Sequence, residues 1–380
     1  MGTISEVLHR FADEYVASHR VSYDQLRLIN DARACRTVTM GGHVSACSEC
    51  GIVKVYYNSC GNRHCPACQG VNKEKWVLER QYDRLAVKYF HLVFTLPSEL
   101  RSLFRKNQKK LYNLLLSCAW ETLDTLSQDS RHRLKAKLGM IAILHTWTQQ
   151  LIYHPHVHCM VPAGGLDLHG NWKHASSNFL FPVRVMSNLY RGKMLSHIKQ
   201  LHHRGQLKGS EQLGSIIHKL YNKNWVVYVK PSFKDHDQLF EYLGRYSHRI
   251  AISNYRIKTI TADSVTFSYL DRADGNRKKL LTLPAHVFIY RYLSHVLPKG
   301  FVKIRHYGFL STRTKGSCLP LIRKQLSMAE PAEKPAYKVR DVIMLTKGID
   351  IDLCPGCGQG LMVVIKEIPA SRGSPKRIAC

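Results

Sequence analysis

Apolar positions along the chain switch between two periods. Over residues 1–34, Val7, Leu8, Phe11, Tyr15 and Val16 recur at helical spacing among acids and arginines, which predicts an amphipathic helical opening. The same spacing predicts helices over the basic stretch 71–87, over 100–126 and over 187–202, 239–248 and 288–295. In 100–126, Leu103, Leu111, Leu114, Leu115 and Leu123 repeat around the polar run RKNQKK. Shorter, denser apolar runs read as strands: FHLVFTLP at 90–97, GMIAILHTWTQQLI at 139–152, NWVVYV at 224–229 and FVKIRHYGFL at 301–310,. ITADSVTFSYL and KKLLTLPAHVF flank DRADGNR, a hairpin signal centred on Asp274 and Gly275. Polar residues and glycines make 203–214 a surface loop, and the Pro-containing, charge-mixed stretch 328–340 reads as a linker.

One segment matters for chemistry. YHPHVHCMVPAGG, residues 153–165, reads as a strand. Period-2 alternation then puts His154, His156 and His158 on one face and Pro155, Val157 and Cys159 on the other. Neutral imidazoles on one rigid strand are pre-spaced for a divalent ion, with little ordering entropy left to lose. With the apolar strand 139–152 beside it, the segment points to a small antiparallel sheet.

The cysteines form a second pattern. Cys47-x2-Cys50 and Cys65-x2-Cys68 lie 14 residues apart with a hairpin, Val53 to Tyr57, between them. That is the arrangement of a zinc ribbon, with four thiolates closing one tetrahedral structural site. Cys35, His43, Cys60 and His64 make a further set of donors for a second zinc ion. Cys354-x2-Cys357 near the end of the chain is half a site, with Cys318 or Cys380 as partners. Twelve cysteines in a chain of 380 residues fit metal thiolates in a reducing compartment better than a disulfide scaffold.

Charge supplies the partner. There are 56 Lys and Arg against 27 Asp and Glu, a formal net charge of +29, which points to a polyanion, most simply nucleic acid. Arg36, Lys54, Arg63 and Lys73 make the cysteine module itself basic. No apolar run is long enough to cross a membrane, the N-terminus carries early acids rather than a signal peptide, and there is no GxxxxGK[ST] phosphate loop. A cytosolic, nucleoid-associated DNA-binding protein is expected.

In the predicted helix 239–248, Tyr242 and Tyr246 are four residues apart and share a face,. A tyrosyl oxygen can attack a DNA phosphodiester, giving a covalent 5′-phosphotyrosine and a free 3′-OH. Two tyrosines allow two successive strand transfers. Arg245, His248 and Arg249 are at hand to lower the phenol pKa or to contact phosphates.

HPHVHCMV resembles the histidine-hydrophobe-histidine motif of HUH single-strand nucleases, and YLGRYSHRIAISN resembles their two-tyrosine motif. More narrowly, RTVTMGGHVSACSECG, YNSCGNRHCPACQ, HLVFTLPSELR, HTWTQQLIYHPHVHCMVPAGG, FPVRVMSNLYRGK and YLGRYSHRIAISN, in that order, resemble the IS91-family transposases. The likeness is close over about residues 20–310 and looser over CPGCGQGLM. It implies an α+β protein of three parts. A helix and zinc ribbon-like DNA-recognition module covers 1–88; an HUH catalytic domain on a ferredoxin-like antiparallel sheet with flanking helices covers 89–325; a linker and CxxC tail cover 326–380. It implies rolling-circle transposition of an insertion sequence through single-stranded DNA, at the element ends and the target. Zinc is then structural and magnesium or manganese catalytic; His156 and His158 take the metal role and Tyr242 and Tyr246 the nucleophile role. His154, Gln238 and Glu241 are the candidates by position for a third ligand. A rolling-circle replication initiator or relaxase, and a non-catalytic zinc-dependent DNA-binding regulator, are the alternatives.

Overall fold

The computed structural model describes residues 2–129, 131, 134–175, 180–230, 244, 251–329, 331 and 336–371. The opening apolar periodicity folds as two helices, α1 (Ile4–Ser18) and α2 (Tyr23–Ala34). The break falls where Ser22 and Gln25 form a reciprocal capping box, satisfying N–H groups that a continuing helix would have paired,. A hairpin follows, β1 (Gly42–Cys47) and β2 (Val53–Tyr57), then the basic helix α3 (Gln69–Tyr82).

Next come β3 (Tyr89–Thr95), α4 (Arg101–Lys106) and α5 (Gln108–Gln128). The helix expected over 100–126 is interrupted at Asn107, whose side-chain amide donates to the carbonyls of Leu103 and Lys208. β4 (Gly139–Trp147) and β5 (Tyr153–Pro162) follow, then the small ribbon β6 (Gly164–Leu166) and β7 (Trp172–His174). Helices α6 (Val183–His203) and α7 (Leu213–Asn222) lead to β8 (Val227–Lys230). The loop expected over 203–214 thus ends in a helix, because Leu213, Ile216, Ile217 and Leu220 fall on one helical face,. Of the helix expected over 239–248, only Gly244 lies among the described residues, and it is helical. A three-stranded sheet, β9 (Ile257–Ile260), β10 (Ser264–Asp271) and β11 (Arg277–Pro284), contains the predicted hairpin. Then come α8 (Ala285–Leu293), β12 (Ile304–Gly308) and α9 (Lys315–Gln325), and in the tail α10 (Val339–Lys347) and β13 (Met362–Ile368).

The fold is α+β. Its central sheet has the order β12-β4-β5-β3-β8, every neighbouring pair antiparallel. One face is packed by α5 and α6: Leu92, Phe94, Ala142, Leu144, Val157 and Cys159 meet Leu115, Leu116, Tyr190 and Met194 in the largest core. On the opposite face Ile141, Ile143 and Met160 pack with Trp76 and Val77 of α3 and Ile322 of α9. Alternation makes His145, His156 and His158 the continuation of this second face. Elsewhere, Val7, Leu8 and Ile29 of the N-terminal helices share a core with Phe267 and Phe288. Ile4 donates its backbone N–H to the Asn254 side chain, so the chain's first helices are held by a segment far along it.

Candidate active site and metal centres

β5 carries the histidines as alternation requires: Val157 and Cys159 are in the large core, while His156 and His158 are on the α3 face. Antiparallel register sets His145 of β4 directly opposite His156, and Ile143 opposite His158. Facing residues in an antiparallel pair point to the same side. His145, His156 and His158 therefore converge, each offering a ring nitrogen within 4.8 Å of the others.

Neighbouring groups orient these rings. Nδ1 of His156 lies 2.7 Å from the His154 carbonyl oxygen; a carbonyl only accepts, so Nδ1 carries the proton and Nε2 keeps its lone pair for a ligand. His158 Nδ1 pairs with His91 Nε2 of β3 at 2.9 Å, and the two rings lie parallel with centroids 5.2 Å apart. Burial pushes His156 down to about 3 and His158 well below the usual imidazole range. His91 falls to about 4, first from burial and then from Lys230 and Arg272. At neutral pH these imidazoles are uncharged, the state a metal requires.

His154 is oriented differently. Arg101 at the start of α4 donates to its Nδ1 at 3.1 Å, and it is not a member of the three-nitrogen set. Gln238 and Glu241 lie outside the described residues, as do Tyr242, Tyr246, Arg245 and Arg249. Gly244, the one described residue between 231 and 250, is buried, and a Cβ there would overlap Cγ2 of Val77 on α3. α3 and the histidines belong to the same face of the sheet.

Sequence reasoning missed His145, His91 and Arg272. His145 sits in the apolar run of β4, where a single histidine carries no signal until strand pairing brings it opposite His156. Arg272, in the turn between β10 and β11, is close enough to lower the pKa values of His91, His156 and His158.

The expected four-thiolate ribbon is corrected. Cys47 and Cys50 do not meet Cys65 and Cys68; two separate clusters form, Cys35–Cys60–Cys65–Cys68 and Cys47–Cys50–Cys354–Cys357. Hairpin geometry explains the partition. At about 3.3 Å per residue the five- and six-residue strands of β1–β2 hold their two ends roughly 17 Å apart. Cys47 and Cys50 are at the tip, whereas Cys60, Cys65 and Cys68 follow the base. Cys35 caps the end of α2 and Cys68 the start of α3, which brings them to 3.4 Å; Cys60 is 3.5 Å from Cys68.

Neither expected histidine joins a cluster. His43 stacks on Tyr56 at 5.4 Å between centroids, and half-buried His64 accepts from the Leu297 backbone N–H at 3.2 Å. Arg63, expected at DNA, donates to the Phe301 carbonyl at 2.6 Å and is half-buried. Cys318, on α9, stands apart from Cys354 and Cys357, and Cys380 lies outside the described residues.

All-sulfur sets suit zinc. Three imidazoles suit a first-row transition ion; manganese is a better match than magnesium, which prefers oxygen ligands. No described helix is long and apolar enough to cross a membrane.

Comparison with known proteins identifies a zinc-binding domain and a transposase domain. A family described as "Transposase zinc-binding domain" matches residues 7–96, and one described as "Putative transposase" matches residues 139–318. The first spans the whole Cys35 cluster and the second spans His145, His156, His158 and the 231–250 stretch. The chain is similar to a protein of Sinorhizobium fredii named "Putative transposase y4qJ", with 38% identity covering 98% of this chain and 97% of the relative. It is also 29% identical, over 88% of this chain and 82% of the relative, to the transposase for insertion sequence element IS801 of Pseudomonas savastanoi pv. phaseolicola. No solved structure matches the chain.

Proposed function

Because the chain belongs to the IS91 family of insertion-sequence transposases, we propose that it nicks and rejoins single-stranded DNA at the element ends and target, through a covalent 5′-phosphotyrosine, in rolling-circle transposition. The observation that carries this reading is the convergence of three imidazoles, His145, His156 and His158, on one sheet face. That face is also the one against which Gly244, midway between Tyr242 and Tyr246, is packed through α3.

The nucleophiles are Tyr242 and Tyr246. Attack forms a bond from the tyrosyl oxygen to phosphorus and breaks the bond from phosphorus to the 3′ oxygen. The phenolic proton leaves to solvent or a nearby base and the 3′ oxygen is protonated, so bond energy is kept in the phosphotyrosine for rejoining. His145, His156 and His158 would hold the catalytic ion, with His91 orienting His158 and the His154 carbonyl orienting His156. A bound manganese or magnesium ion would supply Lewis-acid polarisation of the scissile phosphate. Arg272, and Arg245 and Arg249 beside the tyrosines, supply positive charge for the phosphates, within a chain of net charge +29,.

Architecture agrees with a ferredoxin-like HUH domain: β8-β3-β5-β4 is a four-strand antiparallel order, with α4 and α5 after β3 and α6 and α7 after β5. The 1–88 and 326–380 segments flank this domain, and the site of action is the bacterial cytoplasm, on the nucleoid.

The test is metal-dependent nicking. Full-length protein with an end-labelled oligonucleotide from the element end should cut the single strand and not its duplex, faster with manganese than with magnesium, and not at all with chelator. Tight binding without a cut under either ion would instead identify a zinc-dependent DNA-binding regulator.

A further inference from the structure

The second cysteine cluster joins the two ends of the chain. Cys47 and Cys50 come from the tip of the β1–β2 hairpin, whereas Cys354 and Cys357 come from a knuckle just before β13. The latter pair lies outside both stretches that match known families, 7–96 and 139–318. We propose that Cys47, Cys50, Cys354 and Cys357 bind a second zinc ion, which fastens the C-terminal segment onto the N-terminal module.

The sulfur geometry is that of a tetrahedral site. Cys47 Sγ lies 3.7 Å from Cys357 Sγ, and Cys50 Sγ 3.7 Å from Cys354 Sγ. Zinc–sulfur bonds of about 2.3 Å in a tetrahedron set neighbouring sulfurs about 3.8 Å apart. A disulfide would need about 2.05 Å.

The two knuckles repeat one pattern of backbone donors. Glu49 and Cys50 donate N–H groups to Cys47 Sγ; Gly356 donates to Cys354 Sγ and Gly360 to Cys357 Sγ, all within 3.3–3.4 Å. Such donors stabilise thiolate rather than thiol. Gly360 is required by the close approach: a Cβ there would overlap Cys47 Sγ. Across the knuckles, Ser48 N–H donates to the Leu361 carbonyl and Leu361 N–H to Ser48 Oγ, both at 3.0 Å. β13 then continues antiparallel to β1, Met362 opposite Cys47 and Ile368 opposite Gly42.

Apolar burial does not hold this unit together. In the sheet β13-β1-β2, every residue of β2 is exposed, and so are Val363, Val364 and Ile365 of β13. α10 contributes one buried residue, Val342. A sheet with so little core needs a covalent or metal staple, and the four converging thiolates are where one would act.

The proposal does not depend on the nuclease reading, since its measurements are metal content and protection of the tail. Full-length protein, analysed by native mass spectrometry and metal analysis, should carry two zinc ions per chain. Cys354→Ser/Cys357→Ser should carry one, and proteolysis within 339–368 should speed up on the order of tenfold or more. Cys60→Ser/Cys68→Ser should lose the other ion and leave the tail protected. As a control on folding, wild-type protein reloaded with cobalt(II) should show thiolate charge-transfer absorption that saturates at two equivalents. Saturation at one, two ions retained in the tail variant, or loss of one with unchanged tail protection would each overturn the second site.

Discussion

Replacing His158 by Ala should abolish DNA cleavage while leaving DNA binding almost untouched. The ring is 4% exposed, neutral, and held between His91 and His145. On the proposed metal site, losing one of three ligands would remove most of the ion's occupancy and with it the stabilisation of charge on the phosphate, on the order of 10³-fold in the nicking rate. His156→Ala and His145→Ala should fall in the same range. His91→Ala should cost less, about 10- to 100-fold, because in the proposed site it would orient His158 rather than bind the ion. With 56 Lys and Arg against 27 Asp and Glu in the chain, contacts to phosphate elsewhere should carry the affinity, so it should change only a few-fold. Single-turnover nicking and fluorescence anisotropy on the same oligonucleotide separate the two effects. If His158→Ala nicks within a few-fold of wild type, the three histidines are not the metal centre.

Cys60→Ser should have the largest effect on folding. The core beneath the first cysteine cluster is small: Ala34, Met40, Cys60 and Cys65, with Cys35, Ala67 and Cys68 packed around them. Two of these four buried residues are themselves proposed ligands, so little hydrophobic stabilisation remains without the ion. Structural zinc is worth about 10 to 16 kcal/mol in small modules, far more than this cluster can bury. The variant should lose one zinc ion per chain, loosen the end of α2 and the start of α3, and weaken binding to the element end at least tenfold. The large core between the sheet and α5–α6 shares no residue with this cluster, so a separate cooperative melting transition should survive. Unchanged zinc content, or loss of both transitions together, would contradict this division of labour.

What could be read from the chain depended on whether the signal was local. Period-2 alternation over 153–162 revealed the histidine face, because strand geometry alone decides it. The ion's third candidate ligand did not come through. His145 becomes opposite His156 only by the register of β4 against β5, which no local pattern encodes. Knuckle spacing likewise announced zinc but not the pairing: the length of β1–β2 separates Cys47 and Cys50 from Cys65 and Cys68, and their partners arrive some 300 residues later. α7 was legible in principle, since Leu213, Ile216, Ile217 and Leu220 are amphipathic, but the glycines preceding it masked the pattern. The tail strand β13 is defined by its pairing with β1 rather than by burial.

The measurement that bears most directly on the account is covalent trapping. Wild type, Tyr242→Phe, Tyr246→Phe and the double variant would be incubated with single-stranded element-end DNA labelled on the 3′ side of the nick and with manganese, then denatured and run on a gel. The account predicts a labelled protein band in wild type that is weakened or retained in a single variant and absent from the double variant. A labelled band of undiminished intensity in the double variant, or nicking in wild type with no protein-linked product, would contradict tyrosine nucleophiles and the phosphotyrosine route.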